Sequence, residues 1–291
     1  MNYNDQMNIL IIGNGYVGSQ IFSRADKVKN KYWIHSRKTL DYHDQSVLRK
    51  FLMNNDISYV INCSGFTGRP NVDECETRKE ECWNLNVVVP VAVSNTCKAL
   101  DINYIHVSSG CIYNGYSKEW SETDVPNFGL YNKSSFYSKS KHAFETLNNY
   151  GCTIRIRMPF AGISSDREYL LKLLKYNNLI DVMNSKTYIP DLCRFIEQLI
   201  ATGQAVNKFG IINFVNPQPL TTSDVVLKMK HHGLENLEWQ FVNMSYLKLA
   251  APRSNCVLDI SKLTNLFPTF TLLAEEQVVD EALYNLKNAI T

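Results

Sequence analysis

Near its start the chain runs from a short apolar stretch, Asn8–Ile12, through Gly13-Asn14-Gly15-Tyr16-Val17-Gly18 into a helical-looking segment, Tyr16–Arg24. Three glycines spaced G-x-G-x-x-G between a strand and a helix constrain the backbone more than any other feature here. The first permits a tight turn, the second a close approach of main chain to a ligand, and the third close helix–strand packing. The N-terminus of such a helix presents unpaired N–H groups and a partial positive charge, which suits a pyrophosphate. The spacing therefore points to a dinucleotide site built from Gly13, Asn14, Gly15, Tyr16, Val17 and Gly18. The next strand-like run, 32–35, is followed by Ser36-Arg37-Lys38, with no acidic residue. A carboxylate there would hold a ribose diol. Cationic side chains suit a 2′-phosphate, so Ser36 and Arg37 favour NADP(H) over NAD(H). The alternative, that Arg37 and Lys38 are solvated loop charges, stays open.

The alternation continues. Helical patterns fall at 46–54, 76–100 and 135–150; strand-like runs fall at 59–62, 104–107 and 153–157, and a polar loop spans 114–132. Strands and helices in alternation with short links imply an α/β fold, a Rossmann-type doubly wound parallel sheet. Beyond Pro159 the spacing loosens, with helices expected at 168–175, 191–201, 223–231 and 275–289 and a strand at 211–215. Residues 1–158 are read as the dinucleotide-binding domain, with 189–216 returning to it. Residues 159–291 are read mainly as a smaller, interwoven C-terminal substrate lobe.

Composition excludes several classes. Thirty basic against twenty-eight acidic side chains give a net charge of +2, with no basic tract, which argues against nucleic acid or a membrane surface as partner. The longest apolar stretches, such as 87–93, fall far short of the ~18–20 residues of a membrane span. The opening MNYNDQ has no basic region followed by an apolar run, so no secretory signal is read and a cytoplasmic protein is expected. Eight cysteines include no C-x-x-C pair, and the histidines show no ligand spacing, so no metal site is expected. The cysteines read as small buried side chains in a reducing compartment.

Tyr137 and Lys141 stand four apart on a predicted helix, and Ser108-Ser109 end the preceding strand. Residues i and i+4 share a helix face, so an ammonium can lie near the phenol and lower its pKa from about 10. With a serine hydroxyl to polarise a carbonyl, and a nicotinamide upstream, the set reads as hydride transfer to a ketone.

The chain resembles the extended short-chain dehydrogenases/reductases, in particular dTDP-4-dehydrorhamnose reductases. The resemblance is strongest to the plant-type bifunctional nucleotide-4-keto-6-deoxyglucose 3,5-epimerase/4-reductases of UDP-L-rhamnose biosynthesis. It is carried by GFTGRPNVDECE (65–76), SGCIY (109–113), FYSKSK (136–141), RIRMP (155–159), INFVNP (212–217) and APRSN (251–255). The resemblance implies Ser109, Tyr137 and Lys141 as the reductase triad, and Cys111 with Lys172 as the epimerase acid/base pair. It places Asn62, Cys63 and Gly65 at the cofactor, and Thr67, Arg69, Asn71, Arg253 and Asn255 at the substrate. Without it, Cys111 would read as a space-filler at a strand end, and Lys172 as a surface residue paired with Glu168 four positions earlier.

In a 4-keto-6-deoxyhexose, C3 and C5 both lie α to the ketone, so loss of either proton gives the same kind of enolate, which Ser109 and Tyr137 can stabilise. Reduction destroys the ketone, so epimerisation comes first. The implied partners are a nucleotide-sugar substrate, UDP- or dTDP-linked with UDP favoured and supplied by a separate 4,6-dehydratase, and a second copy of the chain in a homodimer. The competing readings are a reductase without epimerase activity and a non-catalytic NADP-binding regulatory subunit.

Overall fold

The computed structural model describes residues 6–290; residues 1–5, where most of the segment read for a secretory signal falls, and residue 291 lie outside the described residues. The first half alternates as expected: β1 (Asn8–Ile12), α1 (Tyr16–Arg24), β2 (Lys31–His35), α2 (Gln45–Asn54) and β3 (Tyr59–Asn62). The Asp44 carboxylate starts α2 by accepting the N–H groups of Ser46 and Val47.

The single helix expected over 76–100 is broken. It becomes α3 (Glu74–Thr77), α4 (Lys79–Trp83), a wide π-helical turn (Asn84–Val88) and α5 (Val89–Ala99). Arg78, at φ −115° and ψ 51°, separates the first two pieces. Pro90 has no N–H to give to the carbonyl of Asn86 four residues back, so the helix cannot run regularly through that point.

Next come β4 (Asn103–Ser109), β5 (Gly115–Trp120), α6 (Phe136–Leu147) and β6 (Cys152–Ile156). Strand β5 lies inside the stretch expected to be a polar loop. Most of its side chains are exposed and only Trp120 is buried, so it carries no apolar signal. The remaining elements are α7 (Tyr169–Lys175), β7 (Asn178–Leu179), α8 (Ile189–Ala201), β8 (Ile211–Asn213), α9 (Thr222–His231), β9 (Gln240–Phe241), β10 (Cys256–Leu258), α10 (Ser261–Leu266) and α11 (Glu275–Ile290).

Six strands form one parallel sheet in the order β2-β1-β3-β4-β6-β8. The chain steps outward from β1 to β2, then returns to β3 on the other side of β1. That reversal opens a crevice at the C-terminal ends of β1 and β3, where doubly wound sheets bind ligands. Alternate residues of β1 enter different cores. Ile9 and Ile11 pack with Ile21 and with Leu192, Phe195 and Leu199 of α8, whereas Leu10 and Ile12 pack with Leu48, Leu52 and Val93. A strand covered on both faces reads as a continuous apolar run, which is why β1 was legible. Strand β8 pairs with β6 at the edge of the sheet. A third core joins Phe160, Leu170, Val225 and Met229 with Val279, Leu283 and Leu286 of α11. Strand β5 pairs with β10 outside the main sheet. Among the described residues, no helix is long and apolar enough to cross a membrane.

Two ion pairs are buried in this scaffold. Arg155 of β6 donates Nε and Nη2 to Glu145 of α6, with Nη2 2.7 Å from Oε2, and both side chains are less than 5% exposed (3% and 4%). Lys186 pairs with Glu275 at 3.0 Å and also donates to the carbonyls of Asn184 and Leu220. Removing one partner of such a pair leaves an uncompensated charge in the interior. Glu145→Gln should therefore cost about 3–5 kcal/mol, read as a lower urea midpoint; an unchanged midpoint would show that Arg155 does not depend on Glu145.

Candidate active site

Gly13 has φ +101°, and a Cβ there would stand 2.7 Å from the backbone nitrogen of Ser64. Its own N–H donates to the His35 carbonyl at 2.8 Å. A Cβ on Gly18 would fall 2.0 Å from the Gly13 carbonyl oxygen, so these two glycines let α1 and the turn after β3 close on the end of β1. Gly15 differs: nothing lies within 4 Å of where its Cβ would be, and no side chain caps α1. The open face at Gly15 and the free first-turn N–H groups fit a dinucleotide phosphate. Val17, partly buried, packs against the core. Ser36 forms a tight turn with Thr39, and Arg37 and Lys38 follow it, exposed, next to the strand end that holds Gly13.

After β3, the buried Asn62 uses its side chain to shape the turn. Its amide donates to the Tyr104 hydroxyl at 3.0 Å and its oxygen accepts from the N–H and hydroxyl of Ser64. Burial pushes the Cys63 thiol well up. A Cβ on Gly65 would come 3.0 Å from Asn86 Oδ1 and 3.4 Å from Lys141 Nζ, so this glycine gives both side chains room. Asn86, which sequence reasoning did not single out, sits in the π-helical turn. It accepts from the Phe66 N–H at 2.8 Å and donates to the Phe66 carbonyl at 2.9 Å and the Ser140 hydroxyl at 3.0 Å. The irregular turn thus ties the Gly65 loop to α6.

Ser109 ends β4, and Tyr137 and Lys141 project from the buried face of α6. The Ser109 hydroxyl accepts the Cys111 N–H at 3.2 Å and favours the ionised form of the Tyr137 phenol. Lys141 Nζ stands 5.8 Å from the Tyr137 ring centre. Burial, reinforced by the nearby Cys111, raises the phenol's pKa well above its ordinary value, the reverse of the direction expected from the sequence. The phenolate would lose its hydration on burial, and that loss outweighs the influences that favour it. Burial lowers Lys141 in turn. The phenol is therefore held protonated, as a proton donor.

Cys111, half-buried, packs in a small cluster with Tyr137, Cys75 and Cys82. Its sulfur accepts Nη1 of the buried Arg157 at 3.6 Å. Cys82 is lowered chiefly by a hydrogen bond from the Cys75 thiol, then by Ser140 and Asn86 and by the charge on Lys141, while Cys75 is raised.

Lys172 lies on α7 and lines a cleft of about 890 Å³ with Asn14, Gly15, Tyr16, Arg69 and Arg167. Burial lowers its pKa first, the positive charge of Arg167 next. The pairing with Glu168 does not form. The Glu168 carboxylate, fully buried, instead accepts the Tyr16 hydroxyl at 2.6 Å and the Ala161 N–H at 3.0 Å, and caps α7. Lys172 is thereby set beside the glycine loop, whereas Cys111 sits with Ser109 and Tyr137; no hydrogen bond joins the two.

Arg253 donates to Asp73 at 2.8 Å and to the Ala251 carbonyl, and its other nitrogen approaches Asn71. Burial opposes ionisation of Asp73, yet the Arg253 hydrogen bond and the Ala251 N–H hold its carboxyl below the ordinary value. Stretches 65–76 and 251–255 therefore meet, with the Arg253 charge already engaged. Thr67 and Arg69 are exposed on that loop. Asn255 accepts from Asn184 at 2.9 Å and lines a second, smaller cleft with Asp181 and Asn243. Among the described residues, no group of three or more His, Cys, Asp or Glu is placed to hold a metal.

The RmlD substrate binding domain family model matches residues 7–280. The bifunctional dTDP-4-dehydrorhamnose 3,5-epimerase/dTDP-4-dehydrorhamnose reductase of Arabidopsis thaliana is 32% identical over 234 residues, 76% of this chain and 75% of that protein. A trifunctional UDP-glucose 4,6-dehydratase/UDP-4-keto-6-deoxy-D-glucose 3,5-epimerase/UDP-4-keto-L-rhamnose-reductase of the same plant is 30% identical over 288 residues, 94% of this chain. The chain spans only 41% of that protein's length. The crystal structure of a UDP-rhamnose synthase from Acanthamoeba polyphaga mimivirus superposes with a TM-score of 0.84 at 22% identity, covering 97% of this chain and 100% of that one, a likeness of fold.

The contact at Gly18 yields a direct test. Gly18→Ala must push α1 away from the Gly13 carbonyl, since its Cβ would start 2.0 Å from that oxygen. Dinucleotide affinity should fall at least about tenfold, roughly 1.4 kcal/mol, in a fluorescence titration. Wild-type affinity would show that the loop is not the dinucleotide site.

Proposed function

The chain belongs to the RmlD substrate binding domain family, and on that premise we propose that it is an NADPH-dependent 4-ketoreductase of a nucleotide-4-keto-6-deoxyglucose that first epimerises C3 and C5, giving nucleotide-L-rhamnose. The carrying observation is the grouping of Ser109, Tyr137 and Cys111 at one strand end, with the buried Lys141 behind the phenol. UDP is favoured over dTDP, and the keto-sugar is the product of a 4,6-dehydratase.

The dinucleotide, when bound, supplies hydride to C4. Gly13, Gly15 and the first turn of α1 would hold its phosphates, and Arg37 its 2′-phosphate. Ser109 donates a hydrogen bond to the C4 oxygen, and Tyr137 delivers a proton to it as an alcohol forms. The raised pKa of the phenol suits that donation, because the proton stays in place until a stronger base develops beside it. Lys141 then restores the phenol's proton. In epimerisation the same Ser109 and Tyr137 contacts stabilise an enolate oxygen, while Cys111 and Lys172 exchange protons at carbon. The lowered pKa of Lys172 makes its ammonium a readier acid.

The reading is tested by supplying UDP- and dTDP-4-keto-6-deoxyglucose with NADPH and identifying the sugar by NMR. L-rhamnose is expected, and reduction with the original stereochemistry at C3 and C5 would leave a reductase alone. Tyr137→Phe should slow NADPH oxidation by about 10²–10⁴-fold, and normal turnover would reject its role. Cys111→Ala should abolish solvent-deuterium incorporation at C3 and C5 while sparing NADPH binding. Equal affinities for NADPH and NADH would sink the 2′-phosphate assignment to Arg37.

A further inference from the structure

The buried cations of this chain fall into two groups. Arg155 and Lys186 each have a carboxylate, Glu145 and Glu275. Lys141 and Arg157, equally buried, have none among the described residues. Lys141 stands behind Tyr137. Arg157 belongs to the RIRMP stretch, and nothing in the proposed function uses it.

Arg157 is 2% exposed, and its Nε has no hydrogen-bond partner among the described residues. Nη1 donates to the Gly110 carbonyl at 3.2 Å, the Ser254 hydroxyl at 3.0 Å and the Cys111 sulfur at 3.6 Å. Nη2 donates to the Ser254 carbonyl at 3.1 Å and to Asn184 Oδ1. Of these acceptors, only the sulfur can become an anion. A guanidinium buried without a counter-charge is costly, and a fold that keeps one gains where a negative charge forms beside it. The other thiol facing this guanidinium, Cys256, points its S–H at the Gly110 carbonyl, and burial pushes it up, so it stays neutral.

We infer that Arg157 is the counter-charge of the Cys111 thiolate, the form of the sulfur that takes the substrate's carbon-bound proton; this rests on the epimerase reading for the identity of the carbon acid. Arg157 is a positioning residue and acts through the sulfur. The remaining groups facing Cys111 are the Tyr137 phenol, the Lys141 ammonium and the Cys75, Cys82 and Cys256 thiols. Among them the guanidinium is the cation that donates a hydrogen bond to the sulfur. In the exchange, a C–H bond at C3 or C5 breaks and an S–H bond forms on Cys111. The electron pair remains in the enolate. An N–H bond of the Lys172 ammonium then breaks and a C–H bond forms on the opposite face. Nothing is oxidised or reduced, and solvent returns the proton from thiol to amine.

The test is the pH profile of iodoacetamide alkylation at Cys111 in the ligand-free protein, followed by peptide mass mapping. Arg157→Gln should move the midpoint up by about one pH unit, a roughly tenfold slower reaction at fixed pH below it. Should that variant fail to fold, Asn184→Asp decides: it keeps the side-chain shape but places a carboxylate on Nη2, and the midpoint should rise in the same direction. An unchanged midpoint in a folded variant overturns the inference. Deuterium exchange into the keto-sugar separates the two readings. An unmoved midpoint with exchange intact removes Arg157 and leaves the epimerase. A shifted midpoint with no exchange from the unmodified chain keeps the ion pair and removes the thiolate's role as base.

Discussion

The turn that ends β1 and the turn that ends β3 touch backbone to backbone, and the site hangs on that contact. Gly13 faces the main chain of Cys63 and Ser64, and Gly18 faces the Gly13 carbonyl, each closer than a side chain would permit. Because β1 lies between β2 and β3, this contact sets where α1 begins and where the Gly65 loop leaves the sheet. Gly65 in turn makes room for Asn86 and Lys141. A displacement at the glycine loop would therefore reach the Ser109–Tyr137–Lys141 set through backbone geometry, with no change in those residues.

The polar interior behind the site is held by irregular backbone. The π-helical turn carries Asn86, whose amide bridges the Phe66 main chain and Ser140 on α6. A regular helix through that region would turn some residues to other faces, and Pro90 makes regularity impossible. The Tyr16–Glu168 hydrogen bond does comparable work on the other side, joining the glycine loop to the helix that carries Lys172. Each device centres on one fully buried polar side chain, Asn86 or Glu168, that is hydrogen-bonded internally, which makes it rigid.

What was legible in the sequence follows from the range of the interactions involved. Strand β1 and helix α1 are local patterns, an apolar run and a glycine spacing, and both stand where the pattern put them. No breaker residue marks the break at Arg78, and β5 is a strand only because β10 arrives from far along the chain. Glu168 meets Tyr16 across 152 positions and Arg157 meets Cys111 across 46, so no periodicity announces either. The Tyr137 phenol shows the same limit in its chemistry. The four-residue spacing to Lys141 was visible and correct, but the sign of the pKa shift is decided by burial, which the spacing does not contain. Arg253 and Asn255 are adjacent in motif yet bond in different places, one to Asp73 and the other to Asn184.

The distribution of charge then separates scaffold from site. Where charge holds the scaffold together, each buried cation has its carboxylate, as in Arg155–Glu145 and Lys186–Glu275. Around the cleft the pattern inverts. Glu74 is taken by Arg78 and Asp166 by Lys175, and Arg69, Arg167 and Lys172 line one space with no carboxylate within ion-pair reach among the described residues. Arg167 is lowered by burial and then by Arg69, with Glu74 and Asp166 opposing, and Lys172 by burial and then by Arg167, with Glu168 opposing. An anion entering the cleft would add to that compensation. A diphosphate is an anion of that kind, and any ligand that binds the folded chain and not the unfolded one stabilises the fold by mass action.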